Sequence, residues 1–383
     1  MGSERDVSLF VYDKARTIVP FTPSHHSPSL PLHSITTKQY NIKTDMRKPK
    51  FVTFGELLLR FSKNDHARLS QGDYFTSKYG GSEANVAVSL ATLGDHVEYI
   101  TRLPDNPIGH AGAQTLMQYG VDTRRVLYGG GRIGTYYFEP AAGMRSAKVI
   151  YDRSGSAYYE LKPGMIPWRE ILRDADVLHV SGITAAISRD AADATFEALD
   201  VADELGVRVS FDINYRKNLW RYGADPRQTL KRMLSRCDMM FGDAIEFEYL
   251  CQRSQPPFTA QDPSFEMQMA DYGEWFDQLH AEFPRCSKWL MGMRNMVASN
   301  HHLLTALLYS DGQLLKAPIM DIPDVIDPVG VGDAFMAGLL HTVYACPGDD
   351  QLALNYALAA ATVKNTICGD FNLGTDEEIR ALL

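Results

Sequence analysis

Residues 327–335 read Asp-Pro-Val-Gly-Val-Gly-Asp-Ala-Phe. Gly330 and Gly332 stand just ahead of a carboxylate, Asp333. The run from Ala334 to Tyr344 is proline-free and mostly apolar, as a helix would be. Glycines at a helix start let backbone N–H groups converge on one point, where the helix dipole adds positive potential. An anion whose charge grows during a reaction suits such a point, and Asp333 beside it could take a proton from a hydroxyl. Anion cradle plus base is what phosphoryl transfer to an alcohol requires. The competing reading is a glycine turn capped by Asp333, since Asp is a good N-cap. These nine residues alone do not separate the two.

Three further segments end strand-like stretches, where open α/β sheets place their ligands. Gly80-Gly81-Ser82-Glu83-Ala84-Asn85 combines close backbone approach with an amide, Asn85, that offers a donor and an acceptor to a polyol. A plain helix start explains it equally. Asp212-Ile213-Asn214-Tyr215-Arg216 ends on a guanidinium that could hold a carboxylate or a transferring phosphate by a bidentate fork. A surface arginine paired with an acid is the alternative. In Asp243-Ala244-Ile245-Glu246 two acids sit three residues apart, on one face of a helical turn. They could order Mg²⁺ through water, or simply cap the helix.

The elements that must carry these segments alternate from residue 51 onward. Phe51–Phe54, His96–Ile100, Val177–Val180, Val207–Ile213, Met239–Phe241, Lys288–Met291 and Leu303–Tyr309 read as strands. Glu83–Leu93, Gly109–Tyr119, Arg189–Leu205, Thr229–Ser235, Gly332–Tyr344 and Gln351–Thr366 read as helices, several closed by a glycine. The alternation predicts a doubly wound, mostly parallel sheet with helices on both faces. Residues 57–78 and 132–160 break the rhythm with aromatic, strand-like patches. They are expected to form a small antiparallel sheet, a lid over a cleft that excludes water. Gly129, Gly131 and Gly134 satisfy GxGxxG, but Thr-Tyr-Tyr-Phe-Glu-Pro follows, a strand and not a helix, so a turn is expected there.

The chain has 383 residues, enough for one large domain or two ordinary ones. Its net charge of −9, with no Lys/Arg stripe, disfavours nucleic acid as a partner. No apolar run is long enough to span a membrane. Five widely spaced cysteines without a CxxC pair argue against zinc and disulfide frameworks and for a cytoplasmic location. Residues 1–48, rich in Pro, Ser, Thr and His, read as a disordered or non-native leader, with Met46 the expected natural start, and 49–383 as the folded domain. Residues 252–275 look like a longer loop than the fold demands.

Together these segments resemble the ribokinase-like, or pfkB, carbohydrate kinases over about residues 50–383. The early Gly-Gly-x-x-x-Asn motif matches Gly80, Gly81 and Asn85; the late Asp-x-x-Gly-x-Gly-Asp motif matches Asp327, Gly330, Gly332 and Asp333. Ser181-Gly182-Ile183-Thr184, Asp212–Arg216 with Leu219-Trp220, and Gly369-Asp370-Phe371-Asn372 point within that family to 2-keto-3-deoxygluconate kinases. The resemblance implies a three-layer α/β/α sandwich with an inserted β lid, ATP as co-substrate with Mg²⁺, room for a monovalent cation, and a homodimer through the lid. It implies that Asp333 deprotonates the sugar's terminal hydroxyl while the backbone of Gly330, Val331 and Gly332 holds the phosphoryl group. Gly80, Gly81, Asn85, the lid residue Tyr136 and Arg153 would hold the sugar, and Arg216 its carboxylate, the γ-phosphate or both. Asp243, Gly292, Gly330 and Gly332 would face the nucleotide, and Glu246 and Asp243 the metal through water. The substrate implied is 2-dehydro-3-deoxy-D-gluconate. A fructokinase or other ketose kinase and, from another class, a non-catalytic sugar-binding regulator are the alternatives. The chain departs from the pattern at Asp243, where the family has Asn, and at Phe138, where some relatives carry an arginine. It departs again at Gly292-Met293-Arg294-Asn295, which replaces a Gly-x-x-Gly loop and precedes an insertion through His302.

Overall fold

The computed structural model describes residues 48–64, 66–254 and 269–383. The leader, apart from Lys48, lies outside the described residues, as do residues 255–268 of the long loop expected at 252–275. Among the described residues, nine strands form one sheet. Its main path runs Gln313–Lys316, His301–Ser310, Lys288–Ala298, Met239–Asp243, Arg208–Asp212, Val177–Ser181, Lys50–Phe54, His96–Ile100. From Lys288–Ala298 to His96–Ile100 every pairing is parallel; the other end is an antiparallel hairpin extension.

The parallel strands are apolar on both faces because both faces are covered. Along Lys50–Phe54, Val52 and Phe54 enter one core and Phe51 the other. The first core is closed by Arg189–Leu205, Pro226–Leu234 and Met269–Glu282, and the second by Ser82–Thr92, Pro107–Gln118, Val331–Ala345 and Asp350–Lys364. This is the three-layer α/β/α arrangement. Arg189–Leu205 shows how local sequence sets such a helix. The Ser188 side chain accepts from the Ala191 N–H at 3.1 Å, Ala191, Ala194, Ala198 and Ala202 make the buried stripe, and Gly206 at φ 69° ends the helix.

A second sheet has the order Thr76–Gly80, Leu58–Ser62, Gly134–Glu139, Lys148–Asp152. It is not wholly antiparallel as expected. Leu58–Ser62 and Gly134–Glu139 run parallel, because the chain passes through the main sheet between them. The glycines at 129–134 form a turn leading into Gly134–Glu139, with Gly129 and Gly130 at positive φ. Gly292 is likewise no loop residue. It sits inside the strand Lys288–Ala298, opposite Ala306, and the presumed insertion through His302 extends that strand and its hairpin partner.

Candidate active site

The segments selected from sequence lie at the C-terminal ends of the parallel strands or at the helix starts beside them. Gly330, at φ 84°, is the N-cap of Val331–Ala345, and no side chain caps this helix. The Asp333 side chain therefore makes no capping bond to this helix start. The Asp333 carboxylate turns instead to the start of Ser82–Thr92. It accepts from the Ser82 hydroxyl at 2.8 Å and from the Asn85 amide at 2.7 Å. Two helix N-termini thus converge on one buried acid and an open N-terminal turn. Burial pushes the Asp333 pKa up to about 7, against the lowering pull of the bonds from Asn85 and Ser82, and Glu83 and Asp370 add to the rise. A carboxylate so poised can accept a proton near neutral pH.

Behind it the end of Arg208–Asp212 supplies further polar groups. Asn214, in the left-handed region at φ 37°, donates to the Ser82 hydroxyl at 2.9 Å and to Asp212 at 3.2 Å. Ser82 is thus held from one side by Asn214 while it donates to Asp333 on the other. Asp212 is buried and its pKa is raised, first by burial and then by Glu246 and Asp333. Arg216 is 45% exposed at its side chain and lies 3.7 Å from Glu246. Burial of its inner part works against its charge, but Tyr151 of the lid, Glu246, Asp212 and Asp333 more than offset this and raise its pKa. The guanidinium thus lies within electrostatic reach of both Tyr151 and Asp333 and is partly open to solvent.

Asp243 and Glu246 form a reciprocal capping box on Ala244–Cys251. Asp243 accepts from the Glu246 N–H at 2.8 Å and Glu246 from the Asp243 N–H at 3.1 Å. The other Glu246 oxygen accepts from the Tyr215 N–H at 2.8 Å. The capping alternative therefore accounts for both acids in this structure. Burial, then Asp243, raises the Glu246 pKa to about 7. No group of three or more acid, His or Cys side chains able to cage a metal occurs among the described residues. This donor set fits an ion that arrives with a nucleotide and keeps its waters.

Several glycines are small for reasons other than ligand approach. A Cβ on Gly80 would fall 2.1 Å from the Asp370 carboxylate, and one on Gly81 2.3 Å from the Glu56 carbonyl oxygen. A Cβ on Gly330 would meet the Asp370 carbonyl oxygen at 2.0 Å. Gly292 and Gly332 both lie against the Phe241 ring, which brings the Lys288–Ala298 strand next to the start of Val331–Ala345. Asn85 bonds Asp333 and accepts from the Gly81 N–H at 3.2 Å, so its amide holds the base at one end and its own helix start at the other. Tyr136 is buried and donates to Asp370. Arg153 is buried against Glu56, its Nε 3.2 Å from the carboxylate.

The structure adds residues that sequence reasoning passed over. Ser82 touches the base directly. Arg60, on the second sheet beside Tyr136, ion-pairs with Asp327 at 2.8 Å and Asp370 at 2.9 Å, and its guanidinium covers the Phe138 ring at 4.3 Å. A positive charge thus sits against Phe138. Lys364 lies buried beneath Gly330. The signal for Arg60 and Lys364 is weak in sequence, because each stands in an ordinary strand or helix end.

The chain was compared with known proteins. A 2-dehydro-3-deoxygalactonokinase of Haloferax volcanii is 28% identical over 340 residues, covering 87% of this chain and 96% of the relative. A probable fructokinase-3 of Arabidopsis thaliana is 25% identical over 312 residues, covering 80% of each. Among solved structures, a 2-dehydro-3-deoxygluconokinase from Thermotoga maritima superposes with a TM-score of 0.80 at 32% identity, covering 87% of this chain and 99% of that one. The pfkB family carbohydrate kinase model matches residues 48–371, from the first strand to the Gly-Asp-Phe segment beside Gly330. The chain belongs to the pfkB family of carbohydrate kinases.

Proposed function

We propose that this kinase transfers the γ-phosphate of ATP to the terminal hydroxyl of a 2-dehydro-3-deoxy sugar acid, with 2-dehydro-3-deoxy-D-gluconate as the expected substrate. The carrying observation is Asp333, a buried carboxylate with a pKa raised to about 7 beside an uncapped helix start. Asp333 takes the hydroxyl proton. The N–H groups at 330–332 receive the charge that builds on the transferring group, and need no reorganisation because the helix already fixes them. Ser82 and Asn85 fix the orientation of the carboxylate. Arg216 holds the substrate carboxylate or the γ-phosphate from the cleft mouth. Gly80, Gly81, Tyr136 and Arg153 shape the sugar side, and Gly292 and Asp243 the nucleotide side. When bound with ATP, Mg²⁺ neutralises phosphate charge, and Asp243 and Glu246 would order its waters. A cytoplasmic location and a homodimer through the lid complete the proposal. A monovalent cation is the one further ion the family resemblance allows, and its measurement is activation by KCl over tetramethylammonium chloride at equal ionic strength.

The sugar-acid reading is favoured over a ketose kinase by Arg216, a half-exposed cation where a neutral sugar would need none, and by the names of a relative and a solved structure that each cover 87% of this chain. A panel of sugars and sugar acids, both deoxy-keto epimers included, followed by ADP release, tests it. The keto-deoxy acids should lead in kcat/KM, and Arg216→Ala should raise KM more for acidic than for neutral sugars. Fructose outcompeting every acid would favour the ketose reading; no ADP with any sugar would favour a binding regulator.

A further inference from the structure

One buried charge has no part in the reaction just described. Lys364 ends the helix Asp350–Lys364 with its side chain fully buried. Taking an ammonium out of water costs several kcal/mol unless it is well bonded, and an apolar side chain of similar volume would pack without that cost. Its Nζ donates to two backbone carbonyls, of Asp327 at 3.1 Å and of Ile367 at 3.0 Å. A Cβ on Gly330 would lie 3.3 Å from the Lys364 Cε, so the lysine stem runs directly behind the residue that opens the anion cradle. The charges facing it come from four elements: Asp327 on the preceding loop, Asp370 on the C-terminal segment, Arg60 on the lid and Asp333 on the catalytic helix.

The loop it supports is bonded on every side. Asp327 accepts from the N–H groups of Val329 at 3.1 Å and Gly369 at 3.0 Å, and pairs with Arg60. The N–H groups of Ile326 and Asp327 donate to the Asn365 carbonyl, one residue beyond Lys364. Asp370 links the same cluster to Tyr136 of the lid. The shape of residues 327–330, and with it the direction of the N–H groups at 330–332, is therefore set by the cluster that Lys364 closes from behind.

We infer that Lys364 is a positioning residue whose ammonium acts as a built-in cation behind the anion cradle, holding loop 327–330 in shape and adding fixed positive potential to the transferring phosphoryl group. The inference rests on the kinase reading above. A fixed charge on the far side of a peptide loop acts through the low-dielectric interior, where it is little screened. It favours the charge-rich transition state more than the bound sugar, so its loss should appear in kcat.

The test is Lys364→Ala, with ammonium and methylammonium chloride added back. The variant is expected to lose ~10–100-fold in kcat, with the sugar KM changed less than about threefold. Added ammonium or methylammonium should restore part of that loss saturably, tetramethylammonium at equal ionic strength should not, and the variant should gain more than the wild type does. Retention of kcat within about threefold overturns the inference. So does a loss that no small cation restores in a variant that melts as the wild type does. If Lys364→Ala does not fold, the wild-type profile decides. Burial lowers the Lys364 pKa to about 8, against the raising effect of Asp327 and Asp370. Bound phosphate would raise it again, so kcat should fall on an alkaline limb at or above about 8, and a flat profile to pH 10 contradicts the assignment. A wild type without kinase activity would instead indict the proposed function, which keeps the two failures apart.

Discussion

At the scale of single residues, the site turns on what surrounds Asp333. A carboxyl with an ordinary value of 3.8 is pushed to about 7 by burial, even though Ser82 and Asn85 stabilise its charged form. A base must be deprotonated to act, so the active fraction grows as pH rises through that value. The kcat/KM profile should therefore carry an ascending limb near pH 7, well above that of an exposed aspartate. A profile flat from pH 5 to 8 would mean that Asp333 is ionised throughout and that its burial does not matter. Residue type alone made Asp333 a candidate, but did not separate base from cap. In the structure its hydrogen bonds come from Ser82 and Asn85, about 250 residues away in the chain, which hold both oxygens of the carboxylate. For Asp243 and Glu246 the local spacing already foretold the bonds they make. Their spacing is that of a capping box, and in the structure they form one.

At the scale of elements, glycines that look like room for a ligand turn out to be room for protein. Gly80 and Gly330 both lie against Asp370, one on its carboxylate and the other on its carbonyl. Such contacts join the early, late and C-terminal motifs, and no local spacing reveals them. Gly330 adds a backbone requirement, since its φ of 84° is costly for any side chain. Gly330→Ala should therefore cost about 1–3 kcal/mol in stability from backbone strain alone, and should lower kcat because the cradle is displaced. Thermal melting together with kcat checks this. A variant that melts and turns over like the wild type would show that the loop relaxes freely. Most of the main strands and helices were legible from periodicity and capping to within a few residues, but the helix Met269–Glu282 was not, and residues 269–275, read as part of a long loop, are its first two turns. The outer half of the Lys288–Ala298 strand was not legible either, because it is largely exposed, lacks a regular polar–apolar alternation and follows a glycine that reads as a turn.

At the scale of the whole molecule, the sheet, its two helical layers and the second sheet follow from alternation and from the aromatic patches that interrupt it. The buried charge cluster that ties the second sheet to the cradle does not. Arg60, Asp327, Lys364 and Asp370 are brought together only by the fold. The second sheet also leaves apolar surface uncovered at an edge, with Ile150 54% and Val149 43% exposed on the edge strand Lys148–Asp152. Exposed apolar edges invite pairing. If the lid is the dimer surface, Ile150→Lys should shift sedimentation from dimer towards monomer, and an unchanged dimer would place the interface elsewhere. The proposed mechanism rests on one proton acceptor, Asp333, and one anion cradle, the helix start at 330–332. The most direct measurement is therefore kcat of Asp333→Asn against the wild type at pH 8, with saturating ATP and 2-dehydro-3-deoxygluconate. A loss of ~10²–10⁴ is expected when a general base is removed; turnover within about tenfold of the wild type would contradict the assignment of Asp333 as the base.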